Sequence, residues 1–338
     1  MNGFKRLLSS AAILAGVAYA SSAGAADAPK SVTIALFVAI QANPVEQAII
    51  DNFNKVAADD GNARFVVFDS NNSVEKELAN CKDAIAAQKY DAFALKAVAG
   101  PPLISCAKDA MAAGIPVVVF GNALGPDADT AARQLPGLSG SVIELARSNG
   151  IAIAELANAA CVARKADPCN VIYTYGPLAF DWASISRKYF EDSVASQYKN
   201  IKLVATGLSN FDPNTARTLV KSLVQAHPEV DVVVNDVDIA ATGAIAALKD
   251  LGKTPGKDVL VTGAAISNQG KGLIASGEMF GTTCLMPATE AVTAAKYAIL
   301  AARHAPIDKP DVEVCREFAK TGVSPITAAN ADQFTPEW

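Results

Sequence analysis

The sequence predicts an α/β fold of two doubly wound parallel-sheet lobes with a cleft between them. Short apolar runs alternate with amphipathic helical segments, and this alternation occurs twice, before and after a Gly-, Pro- and Asp-rich segment at 121–141. Apolar strands separated by helices are typical of a parallel sheet covered on both faces. With 338 residues, 51% of them hydrophobic, the chain is long enough for two domains of ordinary size.

The first residues are typical of an export signal. Lys5 and Arg6 precede the apolar stretch LLSSAAILAGVAYA, and Ala23-Gly24-Ala25 has the small-x-small pattern of a cleavage site. We therefore expect a signal peptide over 1–25, cleaved after about Ala25. The alternative is a retained anchor, although the apolar run is short for a membrane span.

The first half contains four predicted strands and three predicted helices. The strands are β-rich apolar runs, and the helices have apolar residues at helical spacing; Pro44 opens the first helix and Gly61 ends it. The predicted strands are 31–38, 63–69, 91–96 and 115–120, and the predicted helices are 44–60, 74–88 and 102–114.

The segment 121–141 has no strand or helix period, so we interpret it as the connection between the domains. The alternation then restarts. The predicted strands are 170–175, 201–207, 230–236, 259–265 and 279–286, and the predicted helices are 142–163, 183–198, 213–227, 238–252, 269–277 and 288–304.

Polar residues follow the first predicted strand. Gln41 and Asn43 lie between the run SVTIALFV and the helix that Pro44 opens. Ligands of doubly wound sheets bind beyond the carboxyl ends of the strands, so both are candidate ligand contacts. Asn43 is equally suited to cap the helix, and the residue pattern leaves both roles open.

Composition and motifs argue against several functions. The net charge is −5 and no long basic run occurs, which makes nucleic acid an improbable partner. The GxSxG and GxxxxGK[ST] motifs are absent, only two His are present, and no C-x-x-C occurs, so we expect neither an enzyme nor a metal or cofactor site. The six cysteines of an exported chain can form disulfides, but their pairing stays open at this point.

Several stretches resemble a known family. TIALFVAIQANPVEQAI, FDSNNSVEKELANCKDAI, AGIPVVVFGN, ITAANADQF and the run from Phe211 through AHPEVD to GAIAAL are similar, in order and spacing, to type I periplasmic substrate-binding proteins of ABC importers, in the ribose/galactose-like sugar-binding group. The resemblance covers about 31–333.

This resemblance implies a three-crossing hinge, with the chain changing lobes near 139, 287 and 323. The N-terminal lobe is then 31–138 plus 287–322, and the C-terminal lobe is 139–286 plus 323–338. It also implies a periplasmic monomer without a cofactor that closes on a small solute, most simply a sugar or polyol, and delivers it to an inner-membrane permease. A binding protein that reports to a chemoreceptor or sensor kinase would have the same sequence features.

The family's ligand contacts transfer only in part. Asn43 matches a ligand-contacting position, Phe211 matches an aromatic residue that stacks on a sugar ring, and Lys96 faces the cleft by position. Plain core packing for Phe211 and a solvated rim position for Lys96 are the alternatives. The chain departs from the family's polar set at Gly121, Ser184, Val237, Ala265 and Leu285, with Asn122 and Asp238 as the neighbouring polar candidates.

Aromatic residues are concentrated at 175–182, where Tyr175, Phe180, Asp181 and Trp182 follow a predicted strand of the second lobe. We interpret this loop as a wall of the pocket, and a hydrophobic plug beneath the loop is the alternative. Together with the departures, such a wall suggests a solute with fewer hydroxyls than ribose, or a small aromatic compound.

On this fold the cysteines pair by neighbouring position. The resemblance implies the bridges Cys81–Cys106, Cys161–Cys169 and Cys284–Cys315. The third bridge would lie near the second and third hinge crossings, where we hypothesise that it limits hinge travel.

Overall fold

The computed structural model describes residues 29–319, 322 and 324–338. The predicted signal peptide and its cleavage site lie outside the described residues. All helices and strands named below fall between Ser31 and Trp338, which group as one unit. No helix in this described part of the chain has both the length and the hydropathy that crossing a bilayer requires.

Two six-stranded sheets form the two lobes and confirm the predicted fold class. The first contains β1 (Val32–Val38), β2 (Ala63–Asp69), β3 (Ala92–Leu95), β4 (Val117–Gly121), β5 (Gly140–Ile143) and, from late in the chain, β11 (Asp311–Glu313). The second contains β6 (Cys169–Tyr175), β7 (Ile201–Leu208), β8 (Val232–Asn235), β9 (Leu260–Thr262), β10 (Gly281–Thr282) and β12 (Ile326–Thr327).

The strand orders are β11-β5-β4-β3-β1-β2 and β12-β10-β9-β8-β6-β7. Every pairing is parallel except the one between β10 and β12. In each sheet the second strand lies on one side of the first, and the third strand lies on the other side. This reversal of the strand order is a topological switch point, where a crevice opens at the carboxyl ends of the strands.

Helices cover the sheets, as the alternation predicts. They are α1 (Pro44–Asp60), α2 (Val74–Ala86), α3 (Gly100–Ala112), α4 (Ala146–Arg164), α5 (Asp181–Gln197), α6 (Pro213–Ala226), α7 (Asp238–Asp250), α8 (Asn268–Ser276), α9 (Pro287–Ala302) and α10 (Val314–Phe318), with a 3₁₀ turn at Ala331–Gln333. Helices α1 and α9 pack together on the first lobe, whereas α4 packs with α5 and α6 packs with α7 on the second.

The strands lie in continuous apolar cores. Phe37 of β1 is fully buried, and its ring centroid lies 5.0 Å from those of Phe68 and Phe93. On the other face of the same sheet, Phe53 of α1 packs edge-on against Phe65. Burying both faces fixes the sheet, so the loops at its carboxyl ends project from a rigid base.

Three disulfides are present, and each pairing expected from the resemblance is confirmed. Cys81 and Cys106 join α2 to α3, Cys161 and Cys169 join α4 to β6, and Cys284 and Cys315 join the segment after β10 to α10. Each bridge is expected to stabilise the fold by roughly 2–4 kcal/mol.

The segment 121–141 does not connect the lobes, so that interpretation is wrong. Its last two residues begin β5, which pairs with β4 and β11 of the first sheet. The second lobe therefore cannot begin at 139, and α4 begins at Ala146 rather than at 142. The four residues of β5, GSVI, lie just before a helix. Their pattern alone does not distinguish a short strand from the start of that helix.

The strands and helices that the structure describes place three passages of the chain between the two sheets. The chain leaves the first sheet after Ile143, returns between Thr282 and Pro287 as α9 packs on the first sheet, and crosses again between Phe318 and Ile326. The Cys284–Cys315 bridge thus ties the second crossing to the helix that precedes the third.

Candidate ligand site between the lobes

A cavity of about 490 Å³ lies at the carboxyl ends of the strands in both sheets. Its first-lobe lining follows β1 to β5, and its second-lobe lining follows β6 to β10. The volume falls within the roughly 300–1,000 Å³ of small-molecule pockets. Both lobes therefore contribute to one site.

Asn43 caps α1 and also lines the cavity, so the ligand contact predicted for it stays a prediction. It lines the cavity, and its side-chain Oδ1 accepts a hydrogen bond from the N–H of Val45 at 2.8 Å, which caps α1. Gln41, the other residue predicted there, is exposed and is not part of the lining. Its N–H donates to Asp69 Oδ1 at 3.2 Å and its carbonyl accepts from the Gln47 side chain, so it stabilises the turn instead.

The first-lobe side of the cavity carries a buried ion pair. Lys96 Nζ lies 2.5 Å from Glu46 Oε1, and the two residues are 7% and 4% exposed. Burial opposes the charged ammonium, but the carboxyls of Glu46, Glu290 and Glu144 outweigh it and raise the pKa of Lys96. Lys96 therefore lines the cavity as a charged group that already has a partner.

Gly121 makes room for this lysine. Its φ is +75°, and a Cβ at this position would lie 2.7 Å from both Cγ and Cε of Lys96. The resemblance places a charged residue at 121. In this chain the Lys96 side chain occupies that space, which gives the departure a structural reason. Asn122, the next residue, also lines the cavity and donates from Nδ2 to the Ala97 carbonyl at 2.8 Å.

Two further carboxyls line the cavity beside Lys96. Glu144 follows β5 and accepts from the Met286 N–H at 2.9 Å, and Glu290 lies in the first turn of α9. Burial raises the pKa of Glu144 well above its usual range and raises that of Glu290 to about 7. Three carboxyls and one ammonium therefore share this end of the cavity.

An aromatic wall faces them from the second lobe. The Phe211 ring stands edge-on to Phe180 and to Trp182, with centroids 6.4 Å apart in both pairs, and all three residues line the cavity. Phe211 has φ +55°, and a Cβ at Gly176 would meet its ring at 2.1 Å, so Gly176 is needed to seat it. Trp338 completes the wall, and its carbonyl accepts from the Asn268 N–H at 2.9 Å.

Tyr175 and Asp181, which were also predicted as contacts, lie outside the cavity lining. Tyr175 is the last residue of β6, and its ring packs under the Arg187 guanidinium. The Cζ atom of Arg187 lies 4.0 Å from the centroid of the Tyr175 ring. Asp181 Oδ2 accepts from the Gly100 N–H at 2.7 Å, which links α5 to α3 of the other lobe.

Asp238 is fully buried behind the site, at the start of α7. Its carboxyl accepts hydrogen bonds from Thr282 Oγ1 at 2.6 Å and from the Ser267 N–H at 2.8 Å. Burial raises its pKa to about 7 despite these bonds. The carboxyl thus fastens neighbouring segments of the second lobe, and the interpretation of Asp238 as a ligand contact is not supported by its place.

Sequence reasoning did not find Glu46, Glu144, Glu290 or Trp338. Glu144 directly follows β5, which the pattern did not reveal, and Glu290 begins a helix that returns from the other lobe. Among the described residues no group of three or more His, Cys, Asp or Glu has a metal-binding arrangement.

Comparison with known proteins decides the family. The sequence model of the periplasmic binding protein domain matches residues 34–306. The chain belongs to this family. The resemblance drawn from its motifs is therefore confirmed, and membership indicates a binding protein rather than an enzyme.

Two relatives have related sequences over most of their length. The ribose import binding protein RbsB of Escherichia coli (strain K12) is 27% identical over 267 residues, 79% of this chain and 83% of the relative. The D-apiose import binding protein of Paraburkholderia graminis is 28% identical over 250 residues, 72% of this chain and 74% of the relative.

Solved structures share the fold. An ABC transporter solute binding protein from Bacillus halodurans C-125 with bound myo-inositol has a TM-score of 0.75 at 18% identity, covering 93% of this chain and 100% of that one. The Caulobacter myo-inositol binding protein bound to myo-inositol also has a TM-score of 0.75 at 18% identity, covering 91% and 97%.

Proposed function

We propose that this chain is the solute-binding component of an ABC importer. It captures a small solute in the cavity between the lobes by hinge closure and delivers it to an inner-membrane permease. The observation that carries the proposal is the cavity itself, which is lined by the carboxyl ends of both sheets in a chain of the periplasmic binding protein family.

A sugar or polyol is the first candidate solute. The relatives named above are import binding proteins for ribose and D-apiose, and the structural neighbours hold myo-inositol. Within this cavity we assign ring stacking to Phe211 and Phe180, which suit the C–H face of a sugar. Asn43, Asn122 and Lys96 then supply polar contacts.

A less polar or aromatic solute in the same transport role is the second candidate. Apolar side chains dominate the remaining lining, where Ile40, Val237, Ile239, Ala265 and Leu285 meet the solute space. At three of these positions the resemblance implies polar contacts. Burying a sugar hydroxyl without a partner costs about 1–3 kcal/mol, so such a wall favours a solute with an apolar face.

The setting follows from the same role. We infer that the signal at 1–25 directs export and is cleaved after about Ala25, which leaves a periplasmic monomer. We also infer that the lobes are divided as the resemblance implies, except that the first crossing follows Ile143. Reporting to a chemoreceptor or sensor kinase is an alternative use of the same closed form, which binding to a purified receptor domain would reveal.

A thermal-shift panel of pentoses, hexoses, deoxy sugars, polyols and small aromatics tests the proposal. A solute at 100 times its dissociation constant should stabilise the protein by about 2.7 kcal/mol, which a melting curve resolves. The Phe211→Ala variant is the matched control, because it removes one ring of the wall and should reduce the shift. If no small solute shifts the melting temperature, the proposed role is wrong.

A further inference from the structure

The first-lobe side of the cavity carries more acid than base. We call Glu46, Glu144 and Glu290 the acid cluster; they come from α1, the end of β5 and α9, and are 4%, 7% and 2% exposed. Lys96 is the one basic side chain among the described lining residues. The charges of Glu46 and Lys96 cancel, so each of Glu144 and Glu290 that is ionised adds one uncompensated negative charge.

Two atoms of this cluster have no hydrogen-bond partner among the described residues. They are Glu46 Oε2 and Glu290 Oε1, both on buried residues that line the cavity. An ionised carboxylate only accepts hydrogen bonds, and buried polar groups normally have partners. In their ionised state both oxygens therefore lack a hydrogen-bond donor among the described residues, since Lys96 donates to the other oxygen of Glu46.

Among the described residues, Lys96 is the only cation that acts on Glu144 and Glu290. The charges of Glu77 and Glu46 repel each other, and Glu337, whose carboxylate accepts from the Thr289 N–H, raises the pKa of both Glu144 and Glu290. Across the cavity stand Asp212, which caps α6, and the aromatic wall. Aromatic faces attract cations as well as sugar rings.

Given the proposed transport function, we propose that the solute carries a protonated amine, which the acid cluster binds while the uncharged body lies against Phe180 and Phe211. An ammonium offers three donors and a positive charge, whereas a hydroxyl offers one donor and leaves the excess negative charge in place. Amino sugars and arylalkylamines both belong to this class.

The ionisation of the cluster gives a pH signature. Burial raises the pKa of Glu290 to about 7, and Lys96 opposes that rise while Glu46 and Glu337 add to it. The carboxyl is ionised only above its pKa, and an alkylamine stays protonated throughout this range. The affinity for the amine should therefore rise from pH 5.5 to pH 8, whereas the affinity for a neutral analogue should not.

The test uses two matched pairs of probes, D-glucosamine against D-glucose and 2-phenylethylamine against 2-phenylethanol, each titrated calorimetrically into the unliganded protein. We expect the amine of a pair to bind at least about tenfold more tightly than its neutral partner. Glu290→Gln should remove this preference, and Glu155→Gln, an exposed acid on α4, should keep it. The pH dependence of 2-phenylethylamine affinity in the native sequence is a readout that needs no variant.

The outcomes separate the two proposals. If a neutral sugar, polyol or aromatic binds and its amine counterpart binds equally or more weakly, the amine inference is overturned and the transport role stands. If an amine binds with no pH dependence and unchanged affinity in Glu290→Gln, the acid cluster is not its site and the inference is again overturned. If no compound of either kind binds, the amine inference and the proposed function both fail.

Discussion

The contact of Asp181 with Gly100 should stabilise the closed form of the protein. Asp181 Oδ2 accepts from the Gly100 N–H at 2.7 Å, and the Asp181 N–H donates to the Val98 carbonyl at 3.2 Å. Asp181 begins α5 of the second lobe, whereas Gly100 is the first residue of α3 in the first lobe. Opening the hinge must break these two hydrogen bonds, so they stabilise the closed form and not the open form.

Its magnitude follows from the type of bond. A hydrogen bond to a charged group contributes about 1.5–3 kcal/mol, and the carboxylate also faces a helix N-terminus. Asp181 is only partly buried, so we take the lower end, about 1.5 kcal/mol. Asp181→Ala should therefore weaken solute binding about tenfold, mainly through faster release. Asp181→Asn keeps an acceptor and should lose only about threefold.

The assay is stopped-flow tryptophan fluorescence, because Trp182 and Trp338 both line the cavity. The solute is the compound that copurifies with the protein or gives the largest shift in the panel. The melting temperature of each unliganded variant serves as the control for folding. Unchanged release rates in Asp181→Ala would refute the reasoning that this contact forms on closure.

Three further predictions concern the hinge, the wall and the buried acids. Replacing Cys284 and Cys315 by Ser should lower the free energy of unfolding by roughly 2–4 kcal/mol in urea melts; unchanged closure kinetics in that variant would contradict the hypothesis that the bridge limits hinge travel. Phe211→Ala should weaken solute binding at least about tenfold by calorimetry, since the ring stands at the centre of the wall, and an unchanged affinity would place the solute elsewhere. Burial raises the pKa of Asp238 to about 7 and that of Glu77 to about 8, so the folded protein holds protons that the unfolded chain has released. The melting temperature of the unliganded protein should therefore fall as pH rises from about 5 to about 8. A melting temperature that rises over that range would contradict these pKa shifts.

The sequence predicts the regular elements well where local signals are strong. The predicted helix 44–60 coincides with α1, because Asn43 caps it, Pro44 opens it and Gly61 ends it at φ +74°. The three disulfide pairings are also correct, since the resemblance sets which helices are neighbours. The sequence pattern does not predict β5, β11 or β12, which are two to four residues long and do not stand in an apolar run between two predicted helices.

The site was less predictable because it depends on how separate loops meet. Phe180, Trp182 and Phe211 do come together, as the aromatic concentration indicated. Tyr175, in contrast, is the last residue of β6, and its ring lies under Arg187. Glu290 is distant in the sequence from every other residue of the acid cluster, and only the return crossing brings it to the cavity.

In the proposed function one solute is held between the two lobes. Native mass spectrometry of protein isolated from its own periplasm tests this most directly. We predict one small molecule per chain, released on unfolding and identified by its mass, and lost from the Phe211→Ala variant prepared in the same way. A native protein that carries no small molecule, and whose melting temperature does not change with any solute of the panel, would contradict the assignment of this cavity as a solute site.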